Sequence, residues 1–242
     1  MKSSTTHQMS AEEIVRRLNT LGDPGRAAFA QGYFKTGPGE YGEGDRFVGI
    51  PVPELRKLAR QYRGLTLDET LSLLRSPLHE ARLLALLVLC DAYARGDARL
   101  QERIFGLYLE NTRFINNWDL VDASAPYIVG PHLTHRSRAV LGKLAASTMI
   151  WERRIAIMAT LRFIKQGEFA DTLEIAAMLL EDREDLIHKA VGWMLREVGK
   201  RDRAVEEAFL KANFRRMART MLRYAVERFP EDVRRGYLKG EA

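Results

Sequence analysis

Apolar residues recur at helical spacing along nearly the whole chain, and no stretch shows the two-residue alternation of a half-buried strand. That property confines the fold to helix packed on helix. Punctuation residues cut the pattern into pieces. Ser10 followed by Glu13 predicts a capping box, and Asp23-Pro24 predicts a second helix with proline at its first position. Pro53 starts a third through Leu55, Leu58, Ala59 and Tyr62. Leu78 to Ala94 predicts a long, strongly apolar helix closed by Gly96, Asp97 begins another, and Asn117 precedes one that opens at Trp118. Ser137, Trp151, Phe169, Glu184, Arg203 and Phe214 lie near later starts. The pattern predicts roughly a dozen helices, each about 10 to 17 residues long. Short connections between them give antiparallel pairs that resemble the repeats of HEAT and armadillo solenoids, although no consensus word recurs, and a globular helical bundle stays open.

The 242 residues suit one repeat domain over 1–242, with 1–9 expected to be a disordered tail. No apolar run approaches the roughly 20 residues of a membrane-spanning helix. The segment from Met1 to Met9 lacks the apolar stretch of a secretory signal, which predicts a cytoplasmic protein. Cys90 stands alone, so no internal disulfide or cysteine zinc cluster is available, and its apolar neighbours predict a small buried hydrophobe. His132 and His135 could face together but have no acidic or cysteine partner, and no phosphate-binding, dinucleotide or metalloprotease motif is present; no metal and no cofactor are expected. The net charge of +6 favours an anionic partner, nucleic acid first.

One stretch, Gly37 to Asp45, carries four glycines and cannot sustain a helix. It reads either as a flexible connector or as a loop whose glycines allow close approach to a ligand. Three further stretches could carry chemistry. Trp118 and Asp122, four residues apart, share one helix face with Asp119 at its flank. They fit a site, or else a core tryptophan, a first-turn acid and a surface acid. Trp151-Glu152-Arg153-Arg154 opens a helix on which Arg154 and Lys165, eleven residues apart, would share a face roughly 16 Å long. That is a span for two phosphates, or an ordinary solvated face. Lys189, Trp193 and Arg196 form a stripe of cation, aromatic, cation opposite a core face of Leu186, Ala190, Val191, Met194, Leu195 and Val198. Nucleic-acid sites use this combination, and so do purely structural cation–π clusters. Near the end, Lys211, Arg215, Arg216, Arg219 and Arg223 add positive charge, with Arg216, Arg219 and Arg223 expected on one helical face.

These residues resemble the AlkC/AlkD family of DNA alkylation-repair glycosylases, most closely its AlkD branch. Trp118-Asp119-Leu120-Val121-Asp122, Trp151-Glu152-Arg153-Arg154 and the run from Lys189 to Glu197 carry the match, with Phe47-Val48-Gly49-Ile50 and Pro53-Glu54 as a fourth word, over roughly residues 10 to 230. The resemblance implies an α-solenoid of HEAT-like helix pairs whose concave groove holds double-stranded DNA, and excision of purines alkylated at N3 or N7. It implies Asp122 as catalytic carboxylate, Trp118 and Trp193 as aromatic walls around the damaged nucleotide, and Arg154 beside Asp122. Tyr33 is similar to a groove aromatic, and Lys165, Lys189 and Arg196 match basic groove positions. Pro51 departs from the pattern, where a glutamine approaches DNA, and the glycine-rich stretch is longer. The chain is expected to act as a monomer. The alternatives are a HEAT-like scaffold that binds DNA or protein without catalysis, and an RNA-binding repeat protein.

Overall fold

The computed structural model describes residues 9–241, and the expected tail 1–9 falls almost wholly outside them. Every regular element among the described residues is helical; the only ladder pairing is an isolated parallel bridge between Arg46 and Leu78. The chain is all-α. It divides into two compact units, one ending at Ser124 and the other beginning at Ala125.

Unit 1 holds α1 (Ala11–Leu21), α2 (Pro24–Tyr33), α3 (Val52–Gln61), α4 (Leu67–Leu74), α5 (His79–Arg95), α6 (Ala98–Glu110) and α7 (Trp118–Asp122). The capping box at Ser10 and Glu13 forms, and Asp23 caps α2 with Pro24 behind it. α3 opens one residue before Pro53, so the proline takes the second helical position, where no intrahelical donor is needed. α5 is the centre of the unit. Its buried residues fall on every side, which is what a helix surrounded by others requires. α3 and α4 pack against it, and α1 and α6 add to the same core.

Unit 2 holds α8 (Val129–His132), α9 (Ala139–Ala145), α10 (Ile150–Ala159), α11 (Leu161–Ile164), α12 (Ala170–Met178), α13 (Asp185–Gly199), α14 (Arg203–Asn213), α15 (Arg219–Ala225) and α16 (Glu231–Lys239). Its axis is α13, which buries Ile187, Ala190, Val191, Met194, Leu195 and Val198 against α10, α14 and α15. Leu186, expected in that core, is only half-buried, and Ile187 takes its place. Gly192 allows α13 and α15 to touch: a Cβ there would meet the Met221 carbonyl and, at 2.6 Å, the Tyr224 Cβ.

The helices are more numerous and shorter than the periodicity predicts. α7 has five residues and α8 and α11 four each. Pro126 and Pro131 interrupt the stretch around α8. Thr160 divides α10 from α11, its hydroxyl donating back to the Ile157 carbonyl at 2.7 Å in place of a straight helical run. The start expected near Phe214 falls at Arg219 instead; Phe214 is the buried C-cap of α14.

Candidate functional site

In unit 1 the first turn of α5 buries three ionisable residues, His79, Glu80 and Arg82, ahead of the apolar run 83–90. Burying charge is tolerated only where each group is matched. His79 is matched on both ring nitrogens: Nδ1 meets Asp45 Oδ2 at 2.9 Å and Nε2 meets Asp119 Oδ2 at 2.8 Å. Burial alone would lower the imidazole pKa, but the two carboxylates prevail and push it up to about 9, so His79 is an imidazolium at neutral pH. Arg82 donates to Asp45 and to the Ser76 carbonyl. Burial would raise the Asp45 carboxyl, yet His79, Arg82 and Asn117 hold it below the usual carboxylate range. Glu80 serves the backbone. Its carboxylate accepts the amides of Val48, Gly49 and Ile50 at 2.7–3.3 Å.

These pairs explain the glycine-rich stretch. It is not a loose connector: Gly42 is buried, Glu40 and Glu43 accept the amides of Gly37 and Gly39 at 2.9 Å, and the stretch ends on buried Asp45. Asn117, the N-cap of α7, donates to Asp45 at 3.2 Å and accepts the Trp118 amide at 2.8 Å. The loop, α5 and α7 are thereby tied at one buried cluster. Gly49, at φ 85°, carries the chain past α2 where any Cβ would meet the Asp23 carbonyl and, at 2.7 Å, the Ala27 amide.

An aromatic layer covers the cluster. Phe47 stacks on His79 at 4.3 Å and on Phe34 at 5.0 Å. Phe34 stacks on Trp118 at 5.3 Å, and Tyr33 meets the Trp118 ring edge-on at 6.2 Å. Tyr33 and Trp118, far apart in sequence, are thus neighbours, and half-buried Asp122 closes the same short helix as Trp118. Asp119, expected either at the flank of the Trp118 and Asp122 face or as a first-turn acid, is one of the two carboxylate partners of His79.

Of the unit 2 candidates, Arg154 and Lys165 are placed differently from their sequence reading. Arg154 is buried and donates to the Leu186 carbonyl at 2.5 Å, joining α10 to the start of α13, whereas Lys165 is exposed beyond α11. The break at Thr160 puts them on separate helices, so the common face expected from their eleven-residue spacing does not form. Lys189, Trp193 and Arg196 do share α13, each against a carboxylate: Lys189 with Asp185 at 2.7 Å, the Trp193 indole with Glu197 at 3.2 Å, and Arg196 with Glu227. Of the C-terminal cations, Arg216 lies in the turn before α15 and pairs with Glu181 at 2.7 Å, so it shares no helical face with Arg219 and Arg223. His132 is buried and His135 exposed, so they do not face together. Cys90 is half-buried, its thiol donating to the Ala123 carbonyl at 3.6 Å and pushed up to about 12 by burial.

Sequence reasoning missed His79, Glu80, Arg82 and Asp45. The signal was three ionisable residues within one turn of a largely apolar helix; their side-chain partners Asp45 and Asp119 lie 34 to 40 residues away.

The family model of the DNA alkylation repair enzymes matches residues 14–229. The chain belongs to that family. A solved structure described as a predicted DNA alkylation repair enzyme from Enterococcus faecalis shares the fold of this family member, with a TM-score of 0.66 and 18% identity, over 87% of this chain and 97% of that one. No curated protein matches the sequence. A role in the repair of alkylated DNA follows from that family. No helix among its described residues is long and apolar enough to cross a membrane.

Proposed function

We propose that this member of the family is a monofunctional DNA glycosylase of the AlkD branch, acting in the cytoplasm as a monomer on N3- or N7-alkylated purines in duplex DNA held by HEAT-like repeats. Asp122 is the catalytic carboxylate. Trp118 and Trp193 supply aromatic faces, and Tyr33, Arg154, Lys165, Lys189 and Arg196 contribute to DNA binding. The observation that carries this reading is the setting of α7: Trp118 is held by stacking on Phe34, and the helix start is fixed by Asn117 and by the Asp119–His79 pair. A carboxylate and an indole four residues apart are thereby positioned in advance of substrate.

The chemistry suits so few groups. An N-alkylated purine is already cationic and departs as a neutral base without a general acid, so the step calls for neither metal nor cofactor. The C1′–N bond breaks with its electron pair going to the base, and oxocarbenium charge develops on the deoxyribose. A carboxylate stabilises that charge and takes a proton from the water that attacks C1′. An indole face adds a smaller stabilisation.

Base release from duplex DNA containing N7-methylguanine tests the reading. The native chain should release it, and Asp122→Asn should lose at least about a hundredfold in rate while still binding the duplex. Release by neither protein despite duplex binding would leave a non-catalytic scaffold; equal loss of binding and release in Asp122→Asn would make Asp122 structural.

A further inference from the structure

α7 has five residues, too few to hold a helix by its own hydrogen bonds. Three ties from elsewhere in unit 1 keep it in place. They are the Asn117 cap, which also donates to Asp45 at 3.2 Å, the stack of Trp118 on Phe34, and the contact of Asp119 with His79 at 2.8 Å. The last depends on a charge that a change of pH can remove.

The two carboxylates on His79 are not equal. Asp45 also receives Arg82 and Asn117. Asp119 Oδ2 receives His79, while Oδ1 is buried with no hydrogen-bond partner among the described residues. The Asp119 side chain therefore depends on one imidazole N–H. A charged ring donates from both nitrogens, one to each carboxylate. A neutral ring has one N–H for two acceptors, so one carboxylate then faces a lone pair. Arg82 and Asn117 would still match Asp45, but nothing would match Asp119.

The other charges near the ring are already engaged or lie outside. The Glu80 carboxylate is taken up by the amides of residues 48–50, and Arg82 is turned to Asp45 and the Ser76 carbonyl. Arg26 of α2, exposed, lines the same cavity as His79. Phe34 and Phe47 cover the ring, which is buried from water.

We propose that His79 is a positioning residue for Asp122: its charged ring holds α7 through Asp119, and so fixes the carboxylate that closes the same helix. The glycine-rich stretch takes part, since Asp45 at its end holds the opposite ring nitrogen. The link to excision rests on the glycosylase reading; the hold on α7 does not.

The amide proton–nitrogen signals of residues 120–122, followed from pH 6 to 10, test the hold. In the native chain they should shift together with a midpoint near 9, and His79→Gln should show no such step. Asp119→Asn keeps an acceptor on His79 but removes its charge, so the step should move to lower pH; a purely structural contact would leave the midpoint in place. Single-turnover release of N7-methylguanine from duplex DNA tests the link. Each variant is compared with the native chain at the same pH, so the lesion's own ionisation cancels. Near neutral pH His79→Gln should be about ten- to a hundredfold slower with duplex affinity unchanged, and the gap should close as pH rises through about 9. Should His79→Gln lose helix content, Asp119→Asn carries both measurements. Amide signals that do not titrate, or a rate gap that stays constant with pH, overturn the proposal. Titrating amides with no release by the native chain would uphold the hold on α7 and overturn the glycosylase reading, so the two fail separately.

Discussion

His79 shows how a single residue can set the pH response of a unit. Its folded pKa of about 9 lies above the ordinary 6.5, so the native state binds the proton more tightly than the unfolded chain does. The resulting stabilisation is fully present below pH 6.5 and is lost as pH rises through about 9. Thermal unfolding across pH 6–10 should show this loss, on the order of 2–3 kcal/mol, and His79→Gln should abolish its share of the slope. An unchanged slope in the variant would mean that the Asp45–His79–Asp119 bridge does not persist in solution. Trp118 and Asp122 were legible as candidates from their residue types and four-residue spacing, and Tyr33 only through the family resemblance. Asp45 and Asp119 were not, because an acid in a glycine-rich loop and an acid in a first helical turn have ordinary local explanations. Only the fold brings them to opposite sides of one imidazole.

Among the elements, helix starts marked by a capping side chain were readable to within a residue: Ser10, Asp23, Asp97 and Asn117 all cap as their chemistry predicts. Breaks inside an apolar pattern were not. Thr160 is an unremarked residue in a periodic run, and its hydroxyl bond to Ile157 ends α10 without changing that pattern. The packing of α13 on α14 carries a hidden cost of the same kind. Glu206, 2% exposed, has Oε1 buried without a hydrogen-bond partner, and burial, reinforced by Glu207 against Arg203, pushes its carboxyl up to about 8. Its folded pKa exceeds 4.5, so stability falls as pH rises from 4.5 through about 8. Glu206→Gln should leave unfolding near pH 4.5 unchanged and stabilise the chain at pH 8 by on the order of 1–3 kcal/mol, read from denaturant midpoints. Destabilisation at pH 8 would show that the carboxylate is solvated or paired.

For the whole molecule, the +6 charge pointed to an anionic partner, and family membership agrees with nucleic acid. Charge counting could not reveal how the cations of α13 are held. Lys189 and Arg196 face Asp185 and Glu227, so any phosphate brought to them would compete with a carboxylate for each. Arg196→Ala should weaken duplex binding and reduce its salt slope by about one. Glu227→Gln should do the reverse, tightening binding a few-fold by releasing the guanidinium, on the order of 1 kcal/mol. If both variants weaken binding equally, Arg196 supports the fold rather than the duplex. Glu80 has a wider consequence. By helix and strand alone, residues 48–50 are a connector, yet their amides are held by a carboxylate buried at the first turn of the central helix. In deuterated solvent those three amides should exchange only when α5 itself opens, at the rate of the unit's slowest protons. A segment drawn as loop would then behave kinetically as core.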